Sequence, residues 1–177
     1  MRITGLTPLY DRKRIAARVA ELGREIRARY AGEPLVCVCV LRGAFVFFSD
    51  LVRAIGREDV TVDFMRISSY GASTESSGRV SLSLDLSTDV RDRNVLVVED
   101  IVDTGRSMAF LRKELEGRGA RSIAIAALLD KRNRRVVPIE CDFTGFVFEG
   151  GFVVGYGLDC GEAYRCLPDI CACEVED

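Results

Sequence analysis

The sequence predicts an α/β fold in which helices flank a central, twisted and mostly parallel sheet. Two observations carry this expectation. Runs such as Leu35 to Leu41 (LVCVCVL) are apolar throughout, the pattern of a strand covered on both faces. The order strand, helix, strand also occurs twice, from Leu35 to Ile67 and from Asn94 to Leu129. A length of 177 residues suits one domain with its own apolar core, and no linker, internal repeat or low-complexity block divides the chain.

Each element has a local reason. Ile15, Val19, Leu22, Ile26 and Tyr30 recur at helical spacing among Arg and Glu, and Gly32 with Pro34 ends the pattern. One amphipathic helix is therefore expected from about Asp11 to Tyr30, lying on the sheet. Leu35 to Leu41 follows as a buried strand, broken by Arg42-Gly43. Ala44 to Ile55 reads as a helix ended by Gly56, and Val60 to Ile67 as the next strand. Ser68 to Arg79 (SSYGASTESSGR) is almost entirely small and polar, the composition either of a disordered excursion or of a lid. Val80 to Leu86 alternates apolar and polar residues and suits a hairpin partner. The second unit places a strand at Asn94 to Val98, a helix from about Ser107 to Glu116 closed by Gly117 and Gly119, and a strand at Ser122 to Leu129. Short strands are expected at Phe143 to Phe148, Phe152 to Tyr156 and Ile170 to Val175.

Composition removes whole reaction classes. There is no histidine, which excludes Ser-His-Asp and Cys-His nucleophilic systems, HExxH zinc hydrolases and any imidazole base. Proton transfer must use Asp, Glu, Lys, Tyr or Cys. A net charge of −2 argues against a nucleic-acid coat or an anionic-membrane binder, which need a broad basic surface. No run of 18 apolar residues occurs, and Met1 to Tyr10 lacks a signal pattern, so a cytoplasmic location is expected. The seven cysteines are an odd number and are read as reduced thiols. Four crowd into the last 18 residues, but without a C-x-x-C knuckle they do not indicate zinc.

The segment Val95 to Ser107, VLVVEDIVDTGRS, is specific. Ligands of α/β sheets bind beyond the carboxyl ends of the strands, where Glu99, Asp100 and Asp103 are expected to fall. Three carboxylates within five residues repel one another unless something cationic or rich in hydroxyls joins them; the alternative is a solvated acidic turn. Thr104-Gly105-Arg106-Ser107 then leads into a helix, offering hydroxyls, a glycine for close approach and unpaired N–H groups, an anion cradle suited to phosphate. It is neither a Walker A loop nor a dinucleotide fingerprint. Carboxylates for a vicinal diol beside a phosphate loop describe a ribose 5-phosphate site with a divalent metal nearby.

VLVVEDIVDTGRSM resembles the phosphoribosyl diphosphate motif of the type I phosphoribosyltransferases, and specifically that of the hypoxanthine-guanine phosphoribosyltransferases. Matches run in order from about Leu41 to Pro168. The resemblance implies the family fold: a core at about 11–140, a small hood from the N-terminal residues and about 141–177, and a mobile lid at about 68–79 that includes Ser69 and Tyr70. It implies that Glu99 and Asp100 meet the ribose, that Asp103 to Ser107 hold the 5-phosphate, and that Leu41, Arg42, Gly43 and Arg165 contact pyrophosphate. The Leu41-Arg42 peptide is typically cis in the family.

By the same resemblance Lys131, Phe152, Val153 and Asp159 bind the purine: Lys131 donates to the exocyclic oxygen, Phe152 stacks, and the Val153 carbonyl meets the base edge. Glu99, Asp100 and Asp159 would serve Mg2+, the implied cofactor. Cys160 stands where the family usually has tyrosine. Arg132, Arg134 and Arg135 read as a solvated turn. The implied reaction transfers 5-phosphoribosyl from phosphoribosyl diphosphate to N9 of a 6-oxopurine, hypoxanthine or guanine, with Asp103 facing N7 as general base or hydrogen-bond partner. The alternatives are a xanthine-preferring relative and an RNA-binding pyrimidine operon regulator with uracil phosphoribosyltransferase activity; Asp103 and the acidic balance count against the regulator. Partners are expected to be these small molecules and further copies of the chain, as a homodimer or homotetramer, without nucleic acid or membrane.

Overall fold

The computed structural model describes residues 2–69 and 80–176. Tyr70, and almost all of the segment expected as a lid, lie outside the described residues. A six-stranded sheet has the order β4-β3-β2-β5-β6-β7, with β2 (Leu35–Leu41), β3 (Val60–Ser69), β5 (Asn94–Val102), β6 (Ser122–Asp130) and β7 (Phe143–Val147) parallel. The edge strand β4 (Val80–Leu84) is antiparallel to β3. Helices α1 (Arg12–Arg29) and α2 (Phe45–Ile55) cover one face, and α3 (Arg106–Gly117) covers the other.

The unbroken apolar runs follow from this layering. Alternate residues of β2 enter opposite cores: Leu35, Cys37 and Cys39 pack with Leu22, Ile26 and Leu51, while Val36, Val38 and Val40 pack with Leu111 and Leu115. Asp11 caps α1 by accepting from the Arg14 N–H at 2.8 Å, and Gly56 ends α2 in the left-handed conformation at φ 60°.

A second sheet, β1-β9-β8, joins β1 (Arg2–Tyr10), β9 (Ile170–Glu176) and β8 (Phe152–Val154), all antiparallel. The first strand has no period-two signal in the sequence, because Gly5 and Pro8 interrupt it. Its pairing with β9 supplies the order and absorbs the interruptions as irregularities at Ile3/Gly5 and Pro8/Tyr10. One expected boundary is corrected. Residues from about 141 were assigned to the hood, yet β7 pairs with β6 and buries Phe143 in the main core, so the small sheet holds only β1, β8 and β9.

The connections place the site. From β2 the chain crosses through α2 to β3 on one side, and from β5 through α3 to β6 on the other. The adjacent ends of β2 and β5 therefore form a topological switch point, where diverging loops open a crevice.

The strand cysteines report how closed this core is. Burial pushes the Cys37 and Cys39 thiols up to about 12, with Glu99 and Asp100 adding to the effect at Cys39. Both therefore stay protonated in the folded chain, whereas unfolded thiols ionise near the free value of about 8.5. The unfolded state holds fewer protons between these values, so this contribution to stability is complete below about pH 8.5 and is lost as pH rises toward 12. A thiol reagent at about pH 8 is expected to label the exposed Cys166 and to reach Cys37 and Cys39 only after denaturant opens the fold. Labelling of either strand cysteine in the folded protein, read by peptide mass, would contradict this. Among the described residues no helix is long and apolar enough to cross a membrane.

Candidate active site

The acidic segment sits differently from its sequence expectation. Strand β5 does not end at Val98 but continues through Glu99 and Asp100 to Val102, paired with β6 as far as Asp130. Main-chain hydrogen bonds to a neighbouring strand outweigh the poor strand preference of two carboxylates. Only Asp103 lies beyond the strand. Glu99 is 9% exposed; burial first, and then the Asp100 carboxylate, push its proton affinity well above the ordinary carboxylate range.

Asp103, Thr104, Gly105 and Ser107 line a cavity of about 90 Å3 with Glu99, Ile101, Val102 and Met108. No basic side chain lines it. Gly105 turns the chain at φ 83° and α3 starts at Arg106, whose N–H reaches Thr104 Oγ1 at 3.5 Å; the following N–H groups of the first turn have no intrahelical partner. Arg106 contributes its backbone to this turn, while its side chain is exposed and outside the cavity lining. The loop is held from behind, where the Val136 and Val137 N–H groups donate to the Thr104 carbonyl at 3.1 and 3.2 Å.

A second cavity of about 270 Å3 shares Glu99 and Ser107 with the first and is lined by Val40, Leu41, Arg42, Gly43, Ile67 and Asp100. The Leu41-Arg42 peptide is cis. Gly43 lies against Asp100 so closely that a Cβ there would fall 1.5 Å from Asp100 Oδ2; a Cβ on Gly157 would fall 2.3 Å from the Gly43 carbonyl oxygen. The β2 turn, the β5 carboxylates and the loop after β8 are therefore stacked in contact.

Arg165 donates to the Gly157 carbonyl at 2.8 Å and pairs with Asp159 at 2.7 Å and with Glu162 at 3.1 Å; Glu162 also pairs with Arg42. The two arginines expected at one anion thus meet through Glu162, a residue that no motif in the sequence marks. Its one signal is an acid three residues before Arg165, too common a pattern to stand out. Asp159 has both carboxylate oxygens engaged, by Arg165 and by the Glu162 N–H at 2.8 Å. Among the described residues no three His, Cys, Asp or Glu side chains converge on a common point.

On the other flank of Asp103, the Lys131 N–H donates to the Val102 carbonyl at 3.0 Å, which sets Lys131 beside Asp103. The Lys131 ammonium is nearly buried, lies over the Phe148 ring and donates to the Gly151 carbonyl at 3.2 Å. Phe152, the next residue, is 38% exposed at the start of β8, whereas the Val153 side chain is core. Asp103 Oδ1 is buried without a hydrogen bond, with Arg134 Nε 3.2 Å away as an ion pair. The expected solvated turn is half right: the Arg132 and Arg134 side chains are 65% and 61% exposed, but that of Arg135 is only 13% exposed and is bound to protein groups.

Residues 5–160 match the phosphoribosyl transferase domain family. The chain is 45% identical over 158 residues to a hypoxanthine phosphoribosyltransferase of Escherichia coli, covering 88% of each, and 42% identical over 160 residues to a hypoxanthine-guanine phosphoribosyltransferase of Streptococcus thermophilus, covering 90% of this chain and 88% of the relative. Among solved structures, a hypoxanthine phosphoribosyltransferase from Staphylococcus aureus superposes with a TM-score of 0.90 at 39% identity, over 97% of this chain and 92% of that one.

Proposed function

The chain belongs to the phosphoribosyl transferase family, and from that premise we propose that it is a purine-salvage enzyme transferring 5-phosphoribosyl from phosphoribosyl diphosphate to N9 of hypoxanthine or guanine, giving IMP or GMP and pyrophosphate. One observation carries this reading. The start of α3 borders a small cavity beyond β5; Glu99 and Asp100 line the neighbouring cavity on its β2 side, and Lys131 stands beside Asp103 on its β6 side, a juxtaposition that suits a phosphate, a ribose and a base on one substrate pair. The pyrimidine-regulator alternative is not favoured, since relatives that match 88–90% of the chain are named for hypoxanthine or for hypoxanthine and guanine.

The 5-phosphate is bound by the Thr104 to Ser107 loop and the start of α3, where backbone N–H groups carry partial positive charge. Glu99 and Asp100 face the ribose hydroxyls and the positive charge that develops at C1 as its bond to oxygen lengthens. Arg42 and Arg165 exchange Glu162 for the departing pyrophosphate. Lys131 exchanges the Gly151 carbonyl for the 6-oxo group; an ammonium has only donors, so it rejects the amino group of adenine. Asp103, beside Lys131, takes the N7 edge.

The donor set fits magnesium. Glu99 and Asp100 present oxygens whose protein partners are main-chain N–H groups, from Asp100 at 3.1 Å and from Ile101 at 2.7 Å. Asp159, held by Arg165, would reach a cation only through water. When bound, the ion neutralises charge on the diphosphate. A homodimer or homotetramer and a cytoplasmic location complete the proposal.

The test mixes the protein with phosphoribosyl diphosphate, magnesium and one base at a time. Nucleotide is expected with hypoxanthine and guanine; product with uracil or adenine alone would overturn the assignment. Gly43→Ala probes the ribose subsite. Gly43 is not in the left-handed region, so the cost of its new methyl falls on the Asp100 carboxylate rather than on the fold. Thermal stability is expected to stay near wild type while kcat/KM falls about 10- to 100-fold, the scale of a 1 Å misplacement. Unchanged kcat/KM would show that Asp100 is not needed where it stands.

A further inference from the structure

Arg135 was expected in solvent, yet it is tied into the wall behind the site. Its Nη1 donates to the Asp103 carbonyl at 3.0 Å, and its Nη2 pairs with Asp130 Oδ1. The Asp130 side chain is only 3% exposed. One planar guanidinium thus bridges the residue immediately before Lys131 and the main chain of Asp103. In the reading above, those two neighbours meet adjacent edges of the base, O6 and N7. A guanidinium can make such a bridge because its N–H groups form a rigid fork, whereas an ammonium concentrates its charge at one point.

The other anchors of this region are separate. The Thr104 carbonyl is held by the Val136 and Val137 N–H groups, and the Asp130 carbonyl accepts from the Phe148 N–H at 3.0 Å. Arg132 also pairs with Asp130, through Nε at 2.9 Å, but it is mostly exposed and is not bonded to the Asp103 carbonyl. The Thr104 carbonyl and the neutralisation of Asp130 therefore each have hydrogen-bonded support besides the Arg135 guanidinium, although the Arg135 stem also packs beside Gly105, a contact that lysine's stem keeps. The strand ends are joined one residue earlier by the Lys131 N–H on the Val102 carbonyl, and beyond that pairing it is Arg135 that ties the Asp103 carbonyl itself to Asp130.

We propose that Arg135 is a positioning residue that fixes the separation of Asp103 and Lys131, and so sets recognition of the base rather than of phosphoribosyl diphosphate. The inference rests on the proposed function. Its test is Arg135→Lys, which keeps a cation for buried Asp130 but loses the fork, with Arg132→Met as a control that removes only the exposed partner.

Wild type is assayed first with hypoxanthine; if it forms no nucleotide, the functional reading fails and takes this inference with it. With an active wild type, Arg135→Lys is expected to lower kcat/KM for hypoxanthine about 10- to 100-fold, while KM for phosphoribosyl diphosphate stays within about twofold. Arg132→Met is expected to stay within about threefold on both. IMP binding by calorimetry should weaken in Arg135→Lys by at least the factor seen in base KM, with ribose 5-phosphate binding unchanged. Wild-type kcat/KM in Arg135→Lys would overturn the proposal. So would equal losses toward both substrates, which mark general loosening, or an Arg132→Met as impaired as Arg135→Lys, which would mean that only the charge of Asp130 matters.

Discussion

Asp103→Asn is expected to lower kcat by about 10²- to 10³-fold while leaving the protein folded. The substitution keeps the shape of the side chain and removes its charge. It leaves the main chain anchored, because the Asp103 carbonyl still accepts from Arg135. The carboxylate oxygen Oδ1 is buried without a hydrogen bond and faces the exposed Arg134 at 3.2 Å, so a substrate donor that reaches it takes the place of Arg134. As base charge shifts in the transition state, an ionised partner at N7 gains more than a neutral amide can. Steady-state kinetics against hypoxanthine, with circular dichroism as the check on folding, measure this. A turnover close to wild type would remove Asp103 from the chemistry and leave it as a support for the phosphate loop.

Gly155→Ala is expected to destabilise the protein by about 3–5 kcal/mol, from the strain of a left-handed side-chain residue together with overpacking. Gly155 has φ 95°, and a Cβ there would fall 2.0 Å from the Asp169 carbonyl oxygen, a backbone atom that cannot rotate away. The contact lies at the crossing between the loop after β8 and the segment Arg165 to Asp169. That segment carries Arg165, and it also anchors α1, since Asp169 Oδ1 accepts from the Arg12 N–H at 2.7 Å. Forcing the two apart moves Arg165 off the Gly157 carbonyl and away from Arg42. The melting temperature is therefore expected to fall by roughly 10 °C, at about 2–4 °C per kcal/mol for a domain of this size, and KM for phosphoribosyl diphosphate to rise with it. A calorimetric scan superimposable on wild type would show that the loop yields freely.

The core elements were legible because their signals are local. An apolar run such as Leu35 to Leu41, a helix bounded by Asp11 and Gly32, and a strand leading to Thr104-Gly105 each state their conformation within a dozen residues. The turn Thr104-Gly105 at the start of α3 belongs to the same class, since glycine and the helix that follows fix it locally, whereas Asp100 and Asp103 end in neighbouring cavities that only the folded sheet defines. The strand β1 was not legible, because Gly5 and Pro8 spoil its pattern and only pairing with β9, some 170 residues away, makes it a strand. The extension of β5 through two carboxylates is of the same kind, decided by the partner strand β6.

Side-chain partnerships divide in the same way. That Lys131 stands at a strand end could be read from its place after Leu129-Asp130, and its proposed role toward the base from the family resemblance. That Arg135 of the same arginine-rich turn is mostly covered and bridges Asp130 to the Asp103 main chain could not, because Arg132, Arg134 and Arg135 look alike in sequence and differ only in what surrounds them. Glu162 is a similar case: its acid charge is visible, but the meeting of Arg42 with Arg165 across it depends on contacts among Gly43, Asp100 and Gly157, from three distant parts of the chain. Local chemistry along the chain determined which strands form the core and which groups stand as candidates for phosphate, ribose and base. Close packing between segments far apart in sequence decided which charges are buried, which are paired, and how far apart the reacting groups stand, because those quantities depend on desolvation and contact distance that arise only once the chain is folded.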